Sequence, residues 1–308
     1  MVAQWKPDPV RDRRSYLLTY ADPGARISVR VTAHLDGCPD VSATSVPSGK
    51  VMRVSQPRIA GALTVGSRLS VSRGTWTSKV SFAYQWLRGG VPLKGATRTS
   101  YTLARADAGA ELIVRITARR SGYARIILSS GHTLRVVSTG TPRIAGPAVA
   151  GATLTANPGT WSPGMVPSFQ WLRKGREIPG ATSRAYVPGT ADEGAQLTVR
   201  VTEEQSGWAT VVRTSGKTAR VMRPGTPKIA GTLAVGSTVK AVAGSWTART
   251  GFSYRWLRNG VPIAGATGSR YAVRSGDAGA QLSVKVTGRR TGYGTATVMS
   301  VAVSVPAP

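Results

Sequence analysis

An 85-residue unit is written three times in this 308-residue chain, with no insertion or deletion disturbing the count. Trp76, Trp161 and Trp246 are 85 apart, and so are Trp86, Trp171 and Trp256. The same step links Pro57, Pro142 and Pro227; Tyr101, Tyr186 and Tyr271; Asp107, Asp192 and Asp277; and Gly109, Gly194 and Gly279. A repeat of fixed period is one folding unit copied in series. It also divides the functional question. A residue present in every copy builds the unit, so a unique site has to lie in what differs between copies.

The length alone suggests two domains, but the repeat overrides that prior. It gives three complete units at 57–141, 142–226 and 227–308, preceded by a partial copy at 1–56. About 85 residues are enough for one small core without much margin. With 36 Gly, 19 Pro and few acids, the chain reads as short strands joined by many turns.

The strand pattern is clearest after the Asp-Ala-Gly turn. Leu282, Val284 and Val286 point one way while Ser283, Lys285 and Thr287 point the other. Leu112, Val114 and Ile116 repeat this, as do Leu197, Val199 and Val201. Period two with polar residues on one face describes a half-buried strand. A second strand carries Tyr84 and Trp86, Phe169 and Trp171, or Tyr254 and Trp256. It runs into Arg88-Gly89-Gly90, Lys174-Gly175 or Asn259-Gly260, and Asn-Gly is a strong hairpin signal. Helical periodicity of useful length is absent. Several short strands per unit predict an all-β fold of tandem β-sandwich domains in a linear array.

The string YQWLRGGVPLKGAT, followed by Tyr101, Asp107-Ala108-Gly109 and LIVRIT, resembles immunoglobulin-like tandem repeats of actinobacterial secreted and cell-surface proteins. The resemblance spans 57–308 fully and 1–56 in part. It implies a seven-strand sandwich in which Trp86, Trp171 and Trp256 are the buried third-strand tryptophan. It also implies an extracellular or cell-surface location. The departure is the missing cysteine pair: Val114, Val199 and Val284 stand where antibody domains place the second cysteine, so apolar packing must replace the cross-link.

The partial copy matches from Tyr16 to Thr32, through Asp22, Gly24, Val29 and Val31. Gln4-Trp5 resembles Gln85-Trp86, but the interval from Trp5 to Tyr16 is 11 residues against 15 in the full copy. Half a sandwich leaves one apolar sheet face uncovered. A truncated chain, a start placed too far downstream and a decayed copy all account for it.

Chemistry finds little material. His34 and His132 have no equivalents in the other copies, and no cluster accompanies them. Cys38 is the only cysteine, which excludes an intramolecular disulfide, and it stands where Tyr123, Trp208 and Tyr293 follow a glycine. Glu203 and Glu204 occur in one copy and, being adjacent on a strand, face opposite ways. No paired carboxylates mark a glycosidase. The joints 136–142 and 221–227 lack the carboxylates that calcium requires. The expectation is therefore no catalytic residue, no cofactor and no metal.

Net charge is the remaining signal: 41 Lys and Arg against 13 Asp and Glu, or +28. It is spread along the array as +3, +11, +5 and +9 over 1–56, 57–141, 142–226 and 227–308. Such a field favours anionic partners, here cell-wall polymer or glycan ahead of nucleic acid. Composition bias accounts for the same charge without any ligand. Ligand-contact candidates are the outward Arg115, Arg200 and Lys285, with Arg30 in the partial copy, and the hairpin aromatics Tyr123, Trp208 and Tyr293. Trp76, Trp161 and Trp246 either stack on sugars or close one end of the sandwich. No apolar run reaches 18 residues, so no helix spans a membrane. The favoured reading is a non-enzymatic spacer or adhesion stalk of an exported bacterial protein. The alternatives are a basic module binding anionic polymer, and an appendage of a larger enzyme.

Overall fold

The computed structural model describes residues 2–4 and 15–307, so Trp5 lies outside the described residues. These residues are almost entirely β and form two compact units, one of Met1–Thr139 with Gln205–Ala209 and one of Gly140–Glu204 with Thr210–Pro308.

In the first complete copy two sheets face each other. Arg58–Ala60, Arg68–Ser72 and Ser100–Thr102 form the smaller sheet, in that order. The larger sheet runs Ile126–Ser129, Leu112–Arg119, Ser81–Arg88, Val91–Pro92. All pairings in both are antiparallel. This is an immunoglobulin-like sandwich, with the extra hairpin strand at the edge of the larger sheet. The second copy repeats both sheets, and the third does so with Val303–Ser304 added to the larger one beside Gln281–Arg289.

The alternation read from sequence sets the layers. In Leu112–Arg119 the residues Leu112, Val114, Ile116 and Ala118 are fully buried, while Arg115 and Arg119 face solvent. Trp86 sits opposite Val114 in register and is fully buried, as are Trp171 and Trp256. Each tryptophan reaches across the sandwich to the tyrosine of the opposite sheet, with ring centroids 5.7, 5.4 and 5.3 Å apart. Each indole N–H donates to a backbone carbonyl at 2.9 Å, from Arg98, Ser183 and Gly268 respectively. The polar edge of the ring is thus satisfied inside the core. Val114, Val199 and Val284 fill the cysteine position with zero exposure, so packing against tryptophan takes the place of the cross-link.

The hairpin turns have the backbone that Asn-Gly demands. Asn259 and Gly260 have φ of 48° and 77°, and Lys174 and Gly175 have 52° and 81°. Positive φ at both central residues matches the twist of the flanking strands.

The count is not perfect to the end. In the second copy Gly194 N–H donates to the Val221 carbonyl, and Val221 N–H donates to the Ala195 carbonyl. In the third, Val305 makes both bonds with Gly279 and Ala280, 84 rather than 85 residues on. The missing residue falls between Val303, still paired with Leu282 at the repeat step, and Val305, which side-chain alternation alone did not reveal.

The partial copy keeps fragments of this plan. Arg30–Ala33 pairs antiparallel with Val41–Thr44. Val2–Gln4 pairs with Arg26–Ser28 in parallel, whereas Ser81–Arg88 of the full copy pairs antiparallel. The likeness of Gln4 to Gln85 therefore does not extend to strand direction.

Candidate functional site

Each copied feature has a specific use. Tyr101, Tyr186 and Tyr271 lie six residues before Asp107, Asp192 and Asp277. A single 3-10 turn folds each aspartate back into the sandwich, where it is fully buried. In the third copy one Asp277 carboxylate oxygen accepts from the Tyr271 hydroxyl at 2.7 Å and the Arg274 backbone N–H at 2.8 Å. The other oxygen accepts from Arg258 Nε at 2.6 Å. Burial alone would raise this carboxyl, but the N–H of Arg274, the Tyr271 hydroxyl and the Arg258 guanidinium outweigh it and hold it low. Burial, then the neighbouring carboxylate, pushes Tyr101 up to about 12 and raises Tyr186 and Tyr271 as well. Arg88, Arg173 and Arg258, also at the repeat step, were the missed partners. This corner ties the strand carrying the buried tryptophan to the turn, and both carboxylate oxygens are engaged in hydrogen bonds within it.

Of the tryptophans at 76, 161 and 246, Trp246 is buried and joins its core, while Trp76 and Trp161 are half-buried. All three indoles donate, to the carbonyls of Arg73, Pro158 and Ala243 at 2.6 to 2.8 Å. Trp76 and Trp246 meet Phe82 and Phe252 edge-on, with centroids 5.3 and 5.4 Å apart. Trp246 is buried, and its ring lies where any side chain at Gly288 would have to go.

The hairpin aromatics lie at backbone joints. In the second unit Arg220 N–H donates to the Gly292 carbonyl, and Gly294 N–H donates to the Arg220 carbonyl, both at 2.9 Å. Tyr293 lies between them, its hydroxyl over Gly194, while Arg290 stacks on its ring at 4.3 Å. Val149 and Met222 join the core of the third copy there. In the first unit Lys50 bridges Tyr123 and Arg135 bridges Trp208 in the same parallel fashion. Trp208 also packs against Gly109. All three aromatics are half-buried.

The outward basic positions differ among themselves. Arg30, Arg115 and Lys285 are exposed, and Lys285 stands directly opposite Arg255 across the strands. Arg200 is half-buried and paired with Glu177 at 2.5 Å. The histidines also have partners: His34 contacts Asp40 and Asp36, and His132 contacts Glu111 at 3.0 Å. Cys38 is exposed. Among the described residues no three His, Cys, Asp or Glu gather in a metal-binding arrangement. No helix among them is long and apolar enough to cross a membrane.

The sequence reads Glu203 and Glu204 as adjacent strand residues that face opposite ways. Glu203 is 1% exposed and neither carboxylate oxygen has a partner, while Glu204 faces solvent. Burial pushes its carboxyl above the usual range. Its counterparts 85 residues away are Ala118 and Gly288, and two small residues there were the signal of an interior position.

No protein-family model and no curated protein matches the chain. Solved structures do. The three N-terminal domains of the bacteriophage RB49 outer capsid protein Hoc align over 82% of this chain and 99% of that chain, at 13% identity and TM-score 0.30. The ICAM-5 D1–D4 ectodomain fragment aligns over 93% of this chain and 84% of that one, at 15% identity and TM-score 0.34. The N-terminal eight Ig domains of Down syndrome cell adhesion molecule align over 92% and 40%, at 15% identity and TM-score 0.28.

Proposed function

We propose that this chain is a non-enzymatic spacer or adhesion stalk, organised as the repeats 57–141, 142–226 and 227–308 after a partial copy at 1–56, within an exported bacterial protein. The observation that carries this reading is the use made of the copied residues. The tryptophans fill cores, the aspartates close corners, and Tyr293 sits in a backbone joint with Arg220. Copying such parts extends a chain without adding a chemical site. Weak contacts repeated along it would gain avidity. Small-angle scattering from the full chain tests the idea: one dimension much longer than the other two is expected, and a near-spherical particle would refute a stalk.

A second reading, a basic module for anionic cell-wall polymer or glycan, draws support from the exposed Arg115 and Lys285 and from the Arg255–Lys285 cross-strand pair. Like charges directly opposite are unfavourable unless something neutralises them. Arg200, spent on Glu177, interrupts that face. The stalk reading expects retention on anionic polymer to vanish by about 0.15 M salt, where screening acts over roughly 8 Å. Retention that survives this salt and weakens on Arg115→Glu with Lys285→Glu would favour the module.

A further inference from the structure

The copies differ most at one groove. In the second copy the hairpin turn, the start of Leu197–Glu203 and the segment leading into the joint enclose ≈ 420 Å³. Lys174, Gly175, Gln196, Thr198, Lys217 and Arg220 line it. Three of these six are cations and none is an acid. Their arrangement is partly fixed. Lys174 sits at positive φ in the turn, and its N–H donates to the Gln196 carbonyl. Arg220 is clamped through both backbone groups by Gly292 and Gly294, and one guanidinium nitrogen donates to the Gly194 carbonyl at 2.9 Å. Its remaining N–H groups have no carboxylate to meet.

The acids of this copy are occupied elsewhere. Asp192, Glu177 and Glu193 pair with Arg173, Arg200 and Arg223, and Glu203 is buried. Glu204 is at the far end of the strand, about 20 Å away at ~3.3 Å per residue. Among the described residues no ion pair involves Lys174, Lys217 or Arg220. The copy with the lowest net charge of the three thus holds a groove with three cations and no acid in its lining. The same place in the first copy has Glu111 paired with His132, a carboxylate that repels anions. In the third it has Asn259, whose side-chain oxygen accepts from the Gln281 N–H, and no cation.

We propose that this groove binds a multiply charged tetrahedral oxyanion, a phosphate or sulfate ester borne on a polymer chain. Two lysines supply mobile point charges, and the clamped guanidinium supplies directed N–H donors. The Gln196 and Thr198 side chains stand at the wall between them. Bringing in an anion also relieves the mutual repulsion of the three cations. This goes beyond the stalk reading and does not depend on it.

The test uses the full chain with inorganic tripolyphosphate and dextran sulfate as separate probes at constant ionic strength, read by calorimetry. Lys174→Gln with Lys217→Gln removes two exposed charges from the groove. Lys228→Gln with Lys240→Gln removes two exposed charges from the third copy and serves as the control. The groove pair should weaken binding about tenfold, the loss expected for two charge-assisted contacts, and the control pair less than about twofold. The probe showing the larger groove dependence identifies the ester. Equal losses from both pairs, or no saturable binding of either probe by the unmodified chain, would overturn the site.

Discussion

Val29 and Val31 hold the same places in the repeat as Val114 and Ile116, yet the first two are 46% and 63% exposed and the second two fully buried. Between the same two regions the aspartate corner survives. Asp22 is 4% exposed and accepts from the Thr19 N–H, the Thr19 hydroxyl and the Tyr16 hydroxyl, much as Asp107 accepts from Ala104 and Tyr101. The difference separates two kinds of information. A hydrogen-bonded turn closes within seven residues and needs only its own sequence. A buried strand face needs the opposite sheet, and among the described residues of the partial copy no strand takes the place of Arg58–Ala60 or Arg68–Ser72.

The largest effect that could break this comparison belongs to the tryptophan. Trp171→Ala should cost about 3–5 kcal/mol in chemical denaturation, because it empties a core side chain that contacts both sheets. An unchanged midpoint would show that the sheets do not depend on each other.

Next is the corner. Asp277→Asn should cost about 1.5–3 kcal/mol, since it removes the charge from hydrogen bonds made by Arg258, Tyr271 and Arg274. The Asp277 carboxyl is held below its ordinary value of 3.8, so its contribution is present above that pH and is lost as pH falls through the folded value. Asp22 is also lowered, chiefly by the Thr19 N–H. Asp22→Asn should disturb only its own turn, visible as faster exchange of the Asp22 and Ala25 amides. A global loss of stability from Asp22→Asn would mean that the partial copy carries a core after all.

Glu203→Ala, which copies Ala118 of the first repeat, should stabilise the second by about 1–3 kcal/mol at pH 7.5. The folded Glu203 carboxyl titrates above its ordinary 4.5, so the parent is at full strength below that pH and weakens as pH rises through the folded value. The gain should therefore shrink towards pH 4. A gain independent of pH would point to packing, not to the buried carboxyl.

The smallest effect is the most direct. Ile116→Val should cost about 0.5–1.5 kcal/mol and Val31→Ala less than about 0.5. Hydrogen exchange should find Tyr16–Thr32 losing protection before Tyr101–Thr117. Equal protection would reveal a cover for the exposed valines.

The fold was legible where side chains alternate or turns have their own chemistry. Leu112–Arg119, the Asn259-Gly260 hairpin and the buried tryptophans needed nothing beyond the pattern of residues. What stayed hidden depends on groups that meet through space. Arg88 reaches Asp107 from 19 residues away, and periodicity along the chain carries no trace of that contact. Val305 took the part of Val221 because one residue is missing between Val303 and Val305, after the last clear alternation. The groove of the second copy was obscured by counting charge over whole repeats, which cannot tell a paired arginine from a free lysine. Glu203 was readable in principle, through Ala118 and Gly288, once position rather than residue type was compared.

The joint at Arg220 bears on how such a chain takes a mechanical load. Two backbone hydrogen bonds, the Tyr293 ring and the apolar side chains of Val149 and Met222 hold the 292–294 hairpin against the second copy, whereas Gly251–Arg258 and Gln281–Arg289 are matched over eight register pairs. A pull on the ends would spend its first work on the smaller set of bonds. The hairpin would release and re-dock as tension rises and falls, lengthening the chain while the long central strands of each copy stay paired. A tether with that property would absorb a sudden tug reversibly.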